Sequence, residues 1–155
     1  MAIAQRGELE MLDLVLAIVH HVLVFAIFGI LFAEFMALRA GMSNAVAIRV
    51  AAIDLWYGVL AGAILVIGFC RAIYAAKGWV YYSHNAFFWA KMTTFAAIGL
   101  LSVPPTLEFI RWRKHGTAPD DAAIRSVRRY LHAELGLFVL LLVFAAAMAR
   151  GYGEF

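Results

Sequence analysis

Four apolar segments of about twenty residues or more take up most of this 155-residue chain. They run approximately over residues 11–38, 46–76, 85–110 and 130–149, and the fourth helix is expected to begin well before its apolar part, over 118–149. An α-helix needs about 20 apolar residues to cross the hydrocarbon of a bilayer. Each segment is too long for a strand, and four strands could not close a barrel across a membrane. We therefore expect an all-α integral membrane four-helix bundle, with residues 1–155 as one transmembrane domain.

The composition agrees with a chain surrounded by lipid. Hydrophobic residues make up 65% and charged residues 15% of the sequence, whereas soluble domains average about 45–50% apolar and about 25% charged residues. The net charge of +3 is too small to argue for binding of nucleic acid. Cys70 is the only cysteine, so the chain cannot form an intramolecular disulfide. The expected partner is the lipid bilayer, with no nucleic acid and with a homo-oligomer as an open alternative.

Basic residues concentrate beside two of the three loops. Arg39 and Arg49 flank the first loop, and six more flank the third, namely Arg111, Arg113, Lys114, Arg125, Arg128 and Arg129. Cytoplasmic loops of membrane proteins carry an excess of Lys and Arg. We therefore expect loops one and three in the cytoplasm and both termini outside. The size of the chain favours a bacterial inner (plasma) membrane.

Two adjacent histidines lie within the first apolar segment. His20 is spaced by seven residues from both Asp13 and Ile27, and Ile27 by seven from Glu34, so these residues share one helical face. His21 is turned away by about 100°. A face with three polar groups should point into the bundle, which favours His20 over His21 as a metal ligand. His20 is then either a buried histidine bonded to a carbonyl or hydroxyl, or an axial haem ligand or proton relay.

Lys91 lies early in the third segment, in the run Trp89-Ala90-Lys91-Met92-Thr93. Ionisable groups in hydrocarbon are costly and therefore rare. A long side chain one turn inside the membrane can reach the interface, which is the simpler interpretation. The functional interpretation is that Lys91 binds a carboxylate. By depth, His20, Lys91 and Arg71 could line one cavity in the outer half of the membrane.

Several charged residues fall in the inner half. Glu34, Asp54, Glu108 and Arg111 could form an ionic network, either structural or part of a proton path. Asp54 is expected to pair with an arginine, Arg49 or Arg111.

Three local signals concern helix packing and ends. Gly58 and Gly62 form a Gly-x-x-x-Gly pair that permits close helix approach. Pro104-Pro105 should break or kink the third helix. Thr117 is a candidate cap for a fourth helix that begins near residue 118.

The chain combines an early histidine, His20, with four apolar segments, a small size and the aromatic-lysine run Trp89-Ala-Lys91-Met-Thr-Thr-Phe95. In these features it resembles the HemJ type of bacterial protoporphyrinogen IX oxidase and the related copper-resistance D-like membrane proteins. The resemblance implies a b-type haem, a porphyrinogen substrate, and the histidine and lysine as the functional pair. Glu34 lies where that family has a basic residue. The alternative is therefore that the chain belongs to a sister family with the same fold.

Three classes of function follow. The first is a haem-b membrane oxidoreductase that oxidises protoporphyrinogen IX, in which His20 ligates iron, Lys91 holds a carboxylate and Arg71 assists. His21 stays as an alternative cofactor-binding residue. The second class is a small membrane transporter that moves protons or a cation through the inner acidic residues. The third is an accessory membrane subunit without a cofactor.

Overall fold

The computed structural model describes residues 2–74, 78–116 and 118–155, with side chains from residue 7 onward. These residues form five helices, which are α1 (Ala2–Ala37), α2 (Asn44–Tyr74), α3 (Gly78–Ser83), α4 (Ala86–His115) and α5 (Asp121–Ala149). The four long helices have mean hydropathies between 1.5 and 2.7 and are long enough to span a membrane. The predicted fold class, an all-α membrane bundle, is confirmed.

The four long helices form a ring in which each packs against two neighbours. α1 and α4 both contact α2 and α5. Within the described residues, neither α1 and α4 nor α2 and α5 pack directly on each other, so they are the diagonal pairs. The core is built from one apolar face of each helix, with fully buried Leu31, Val50, Phe109 and Leu131 at its centre. Sites between diagonal helices therefore lie on the axis of the bundle.

The helix bounds differ from the prediction at several places. α1 already begins at Ala2, and the second loop contains the one-and-a-half-turn helix α3. α5 begins at Asp121, where the side chain of Asp120 accepts a hydrogen bond from the amide of Ala123 at 2.6 Å. The predicted cap Thr117 and the predicted end of the second helix at residues 75–76 lie outside the described residues.

Pro104 and Pro105 lie inside α4 without ending it, so a break at this point is wrong, while the alternative, a kink, stays a prediction. A proline removes one backbone donor, but a membrane helix tolerates this loss when neighbouring helices and hydroxyl side chains contact the freed groups. Here Pro105 is buried against the bundle.

Loops one and three meet at one end of the bundle, which we call the arginine-rich end because six basic residues flank the third loop. The amide of Gly41 donates to Oδ1 of Asp121 at 3.0 Å, and Nδ2 of Asn44 donates to the carbonyl of Gly116 at 2.8 Å. The two loops that the charge pattern places in the cytoplasm therefore lie on the same side of the protein.

Arg128 links α5 to the last turn of α1 at this end. Its Nη1 donates to the carbonyl of Phe35 at 2.9 Å and to the carbonyl of Leu38. The guanidinium also lies 4.3 Å from the centroid of the Phe35 ring. The last carbonyls of a helix lack partners within the helix and carry partial negative charge. Arg128 therefore caps α1 from a neighbouring helix.

The opposite end, called the α3 end, is closed by the segment 150–155. The amide of Ala86 donates to the carbonyl of Gly153 at 2.8 Å, and the amide of Phe155 donates to the carbonyl of His84 at 3.1 Å. Asn85 is fully buried between them. Its Oδ1 accepts from the amides of Phe87 and Phe88 and caps α4, while its Nδ2 donates to the carbonyl of Tyr152 at 2.9 Å. These bonds fix the start of the helix that carries Lys91.

Candidate functional site

A small cavity lies between the diagonal helices α1 and α4, in the half of the bundle nearer the α3 end. It encloses about 60 Å³ and is lined by His20 from α1 and Lys91 from α4. Apolar side chains form most of the remaining wall, among them Val24, Ile64 and Phe95. The structure thus brings together the histidine and the lysine that the sequence singled out. Their functional roles stay a prediction.

His20 has an unused hydrogen-bonding atom. Its Nδ1 is buried and has no hydrogen-bond partner. Gly68 of α2 lies against the ring, and a Cβ at this position would be in ordinary van der Waals contact with His20 Cε1, 3.6 Å away. Depending on the tautomer, a neutral imidazole donates or accepts at Nδ1. A buried polar atom without a partner is rare, so this nitrogen is available to a bound molecule.

His21 is placed differently. Its side chain is exposed on the surface of α1, and its Nδ1 lies 2.6 Å from the carbonyl oxygen of Ala17. The imidazole therefore bonds to its own helix and points away from the cavity. This separation agrees with the helical-face argument, although it does not test which histidine binds a cofactor.

Lys91 is a cation without an acidic partner. Its Nζ lies 5.4 Å from the centroid of the Phe88 ring. No carboxylate within the described residues forms an ion pair with it. A cation–π contact compensates only part of the cost of removing an ammonium group from water. The site is therefore complementary to an anion.

Arg71 lines a second, adjoining cavity of about 40 Å³, which shares His20, Gly68, Phe88 and Lys91 with the first. Its Nε lies 3.5 Å from Oδ1 of Asp13, at the long end of an ion-pair distance. Of the two cations that line these cavities, only Arg71 has a carboxylate partner among the described residues, and that carboxylate is partly exposed. The electrostatic balance around the two cavities is positive, as the sequence analysis expected for an anionic ligand.

The size of the cavities limits what can enter them. Sites for drug-sized ligands enclose roughly 300–1,000 Å³, and a porphyrin belongs to that class. The cavity at His20 and Lys91 holds about 60 Å³, roughly two water molecules at about 30 Å³ each. The chemistry of the lining suits a haem, with a free imidazole nitrogen and a cation for a propionate. The volume of the cavity does not hold the porphyrin ring, so only a propionate of a haem fits inside this arrangement and the ring would have to lie outside it.

The acidic residues of the other half do not form the predicted ionic network. Asp54 accepts a hydrogen bond from the hydroxyl of Thr106 at 3.0 Å instead of pairing with Arg49 or Arg111. Arg111 pairs with Glu108 on its own helix at 2.6 Å, on the outside of the bundle. The expected pairing is wrong because Asp54 points into the bundle, whereas both arginines are exposed.

Glu134 and Tyr57 also belong to this region, and no pattern in the sequence connects the two residues. Glu134 is fully buried and accepts a hydrogen bond from the Tyr57 hydroxyl at 3.2 Å. Glu134 lies seven residues from Val127 and three from Leu131, on the inward face of α5. That spacing could have shown its burial. The bond to a tyrosine on another helix has no local signal.

Gly58 and Gly62 are not at a close helix contact, so that prediction is wrong. Both are exposed, and a Cβ at either position would meet no atom within 4 Å. They instead line a cavity of about 220 Å³ between α2 and α4, together with Gly99 and Ser102. The small residues here leave space between two helices rather than drawing them together.

No group of three or more His, Cys, Asp or Glu residues in the described part of the chain is arranged to hold a metal ion. A haem iron needs only one such ligand from the protein on each face, so this finding concerns a metal ion held by side chains alone.

The fold and the cavity define a four-helix integral membrane protein with a cationic site inside the bundle. The chain belongs to the DUF2214 family of predicted membrane proteins, whose family model matches residues 12–153. No curated protein and no solved structure matches it. The resemblance to HemJ-type oxidases therefore stays a prediction.

Proposed function

We propose that this membrane protein binds a membrane-soluble carboxylic acid, with the carboxylate in the cavity between His20 and Lys91. The observation that carries the proposal is the partly buried Lys91 ammonium, which no described carboxylate neutralises. An anionic ligand removes the cost of an unpaired cation in a low-dielectric environment.

The dimensions support a ligand whose head group alone enters the bundle. A volume of about 60 Å³ suits a carboxylate and the first carbon atoms behind it. Leu65 and Phe69 of α2 line the same cavity and are partly exposed on the outside of the bundle. An apolar body can therefore extend from the cavity past these two residues into the bilayer.

Three polar groups have distinct roles in this proposal. Lys91 supplies the positive charge as a compact ammonium group. Arg71 adds a second positive charge from the adjoining cavity. His20 donates from Nδ1 to a carboxylate oxygen, which gives its unpartnered nitrogen a bond. Because the apolar wall excludes water, each of these interactions is stronger than at the surface.

Binding of laurate to the purified protein tests this proposal, with lauryl alcohol as the uncharged comparison. Native mass spectrometry should show saturable laurate binding and little binding of the alcohol. Lys91→Met should weaken laurate binding at least tenfold, while Lys114→Met at the exposed end of α4 leaves it unchanged. Equal binding of acid and alcohol, or equal affinity in Lys91→Met and wild type, contradicts the proposal.

A haem-b oxidoreductase that oxidises protoporphyrinogen IX is the second candidate function. One observation favours it, namely that His20 and Lys91, the pair implied by the resemblance, line the same cavity. A porphyrin propionate is also a carboxylate, so it would use the same cation. The ring would have to lie outside the enclosed volume or widen it.

An absorbance spectrum separates the two candidates. Protein purified from cells supplied with a haem precursor should show a Soret band if haem binds, and His20→Ala should lose the band while His21→Ala keeps it. A colourless protein that binds laurate supports the carboxylic-acid site without haem. A colourless protein that binds neither haem nor laurate leaves the transporter and the accessory subunit as the remaining classes.

A further inference from the structure

The other half of the bundle contains three carboxyl groups on three helices. Glu34 of α1 and Glu134 of α5 are almost completely buried, with 1% and 0% of their surfaces exposed, and Asp54 of α2 is 7% exposed. The three groups lie close enough to interact electrostatically. We refer to them as the carboxyl cluster. Glu34 is 14 residues from His20 on the same helix, which places it about 21 Å from the cationic cavity at 1.5 Å per residue.

Cations do not neutralise this cluster. On α5, Arg128 donates to the carbonyls of Phe35 and Leu38 instead, and Arg129 is exposed. On α4, Arg111 pairs with Glu108 at the surface. His132 of α5 is exposed, with its ring near that of Phe35. No ion pair in the described part of the chain includes Glu34, Asp54 or Glu134.

Two carboxyl oxygens of the cluster also lack hydrogen bonds. Oε1 of Glu34 and Oε1 of Glu134 are buried without a partner. Three unpaired carboxylates at this depth would repel one another in a medium that solvates charge poorly. A protonated carboxyl group removes a charge and gains a donor, so protons are the simplest ligand for these oxygens.

A cavity adjoins the cluster through two hydroxyl side chains. The cavity of about 220 Å³ between α2 and α4 is lined by Tyr57 and Thr106. These are the two hydroxyl side chains that donate to Glu134 and Asp54. The volume is large enough for several water molecules, and the hydroxyl groups of Tyr57, Ser102 and Thr106 give the cavity polar partners for them.

We propose that Glu34, Asp54 and Glu134 form a proton-binding site that exchanges protons with water in the cavity between α2 and α4. On release, a carboxyl O–H bond breaks, the proton passes to a water molecule, and the electron pair stays on the carboxylate. On uptake the same steps run in reverse, with no oxidant or reductant involved. None of the three carboxyl groups lines the carboxylic-acid cavity, and the proton-binding site does not depend on that proposal.

Infrared spectroscopy of the full-length protein in lipid nanodiscs tests this proposal. The wild type should show a C=O stretching band of protonated carboxyl groups at pH 7, and the band should shift in D₂O. Glu34→Gln and Glu134→Gln should each reduce it, while Glu108→Gln, which removes a carboxyl group paired at the surface, should not. Lys91→Met should leave the band unchanged.

The wild-type spectrum alone can overturn the proposal, even if a variant fails to fold. Absence of the band at pH 7 shows that the carboxyl groups are ionised. A band that does not shift in D₂O shows that the groups do not exchange with water. Loss of the band on addition of NaCl, but not of choline chloride, identifies the ligand as a sodium ion instead of a proton.

Discussion

The hydroxyl of Tyr57 donates a hydrogen bond to the carboxyl group of Glu134 across 3.2 Å, and this bond joins α2 to α5 along a diagonal of the bundle. Within the described residues these two helices have no direct backbone packing. The bond therefore holds α2 and α5 at a fixed separation, which direct packing between these two helices does not do. It also supplies a donor to one of the most deeply buried carboxyl groups of the protein.

Tyr57→Phe should lower the free energy of unfolding by about 1 kcal/mol, in the range of interhelical hydrogen bonds in membranes. The phenylalanine keeps the ring but leaves Glu134 without its donor. Thermal unfolding in detergent measures the change. Tyr74→Phe, on the exposed surface of α2, is the control and should melt like the wild type. Identical melting of the two variants would show that the bond contributes nothing.

Arg128→Ala should destabilise the bundle by about 1–2 kcal/mol, because the last carbonyls of α1 lose a charged donor. The neighbouring Arg129 is exposed and provides a matched control with the same loss of charge. A melting temperature that falls in Arg128→Ala and not in Arg129→Ala supports the capping role. Equal shifts would mean that net charge, not capping, is responsible.

Gly153→Ala should destabilise the α3 end by roughly 1–2 kcal/mol because it forces a left-handed conformation on an L-residue. Gly153 has φ +83°, and a Cβ there would lie 2.6 Å from Cδ2 of Phe87. Gly136→Ala on the exposed face of α5 meets no atom within 4 Å and should be neutral or stabilising. Amide hydrogen exchange at the start of α4 should rise in the first variant alone.

Ser43→Cys and His84→Cys test the orientation in the membrane, in a Cys70→Ala background. Both positions are exposed and lie at opposite ends of the bundle. The distribution of Lys and Arg predicts that Ser43 faces the cytoplasm. An impermeant maleimide applied to intact cells should label the cysteine at 84 and not the one at 43. The reverse result would invert the orientation and place the cationic cavity in the cytoplasmic half.

Hydrophobic patterning was sufficient to predict the membrane bundle, since lipid allows only helices or closed barrels. The seven-residue spacing of Asp13, His20, Ile27 and Glu34 also predicted the inward face of α1, where Ile27 and Glu34 are buried. Charge clustering agreed with the meeting of loops one and three at one end. In each case the prediction rests on a pattern within one segment of the sequence, and helix geometry converts that pattern directly into a structural feature.

The failed predictions depended on partners in other helices. Asp54 bonds to Thr106, and Gly58 faces a cavity instead of a helix. Pro105 stays within α4 because the bundle surrounds it. A helical period shows which face a residue lies on, but not which residue of a neighbouring helix is at the same depth. That information depends on how the helices are shifted along one another.

The hydrogen bond between Asn85 and Tyr152 has a consequence for how the protein is made. The two residues are 67 positions apart. A ribosome adds about 5–20 residues per second, so α4 leaves the translation machinery several seconds before its cap has a partner. During that interval the buried amide of Asn85 and the helix that carries Lys91 have no covering segment. Translation of residues 150–155 is therefore the step that completes the α3 end. Until these residues are made, membrane insertion factors can contact the uncovered start of α4.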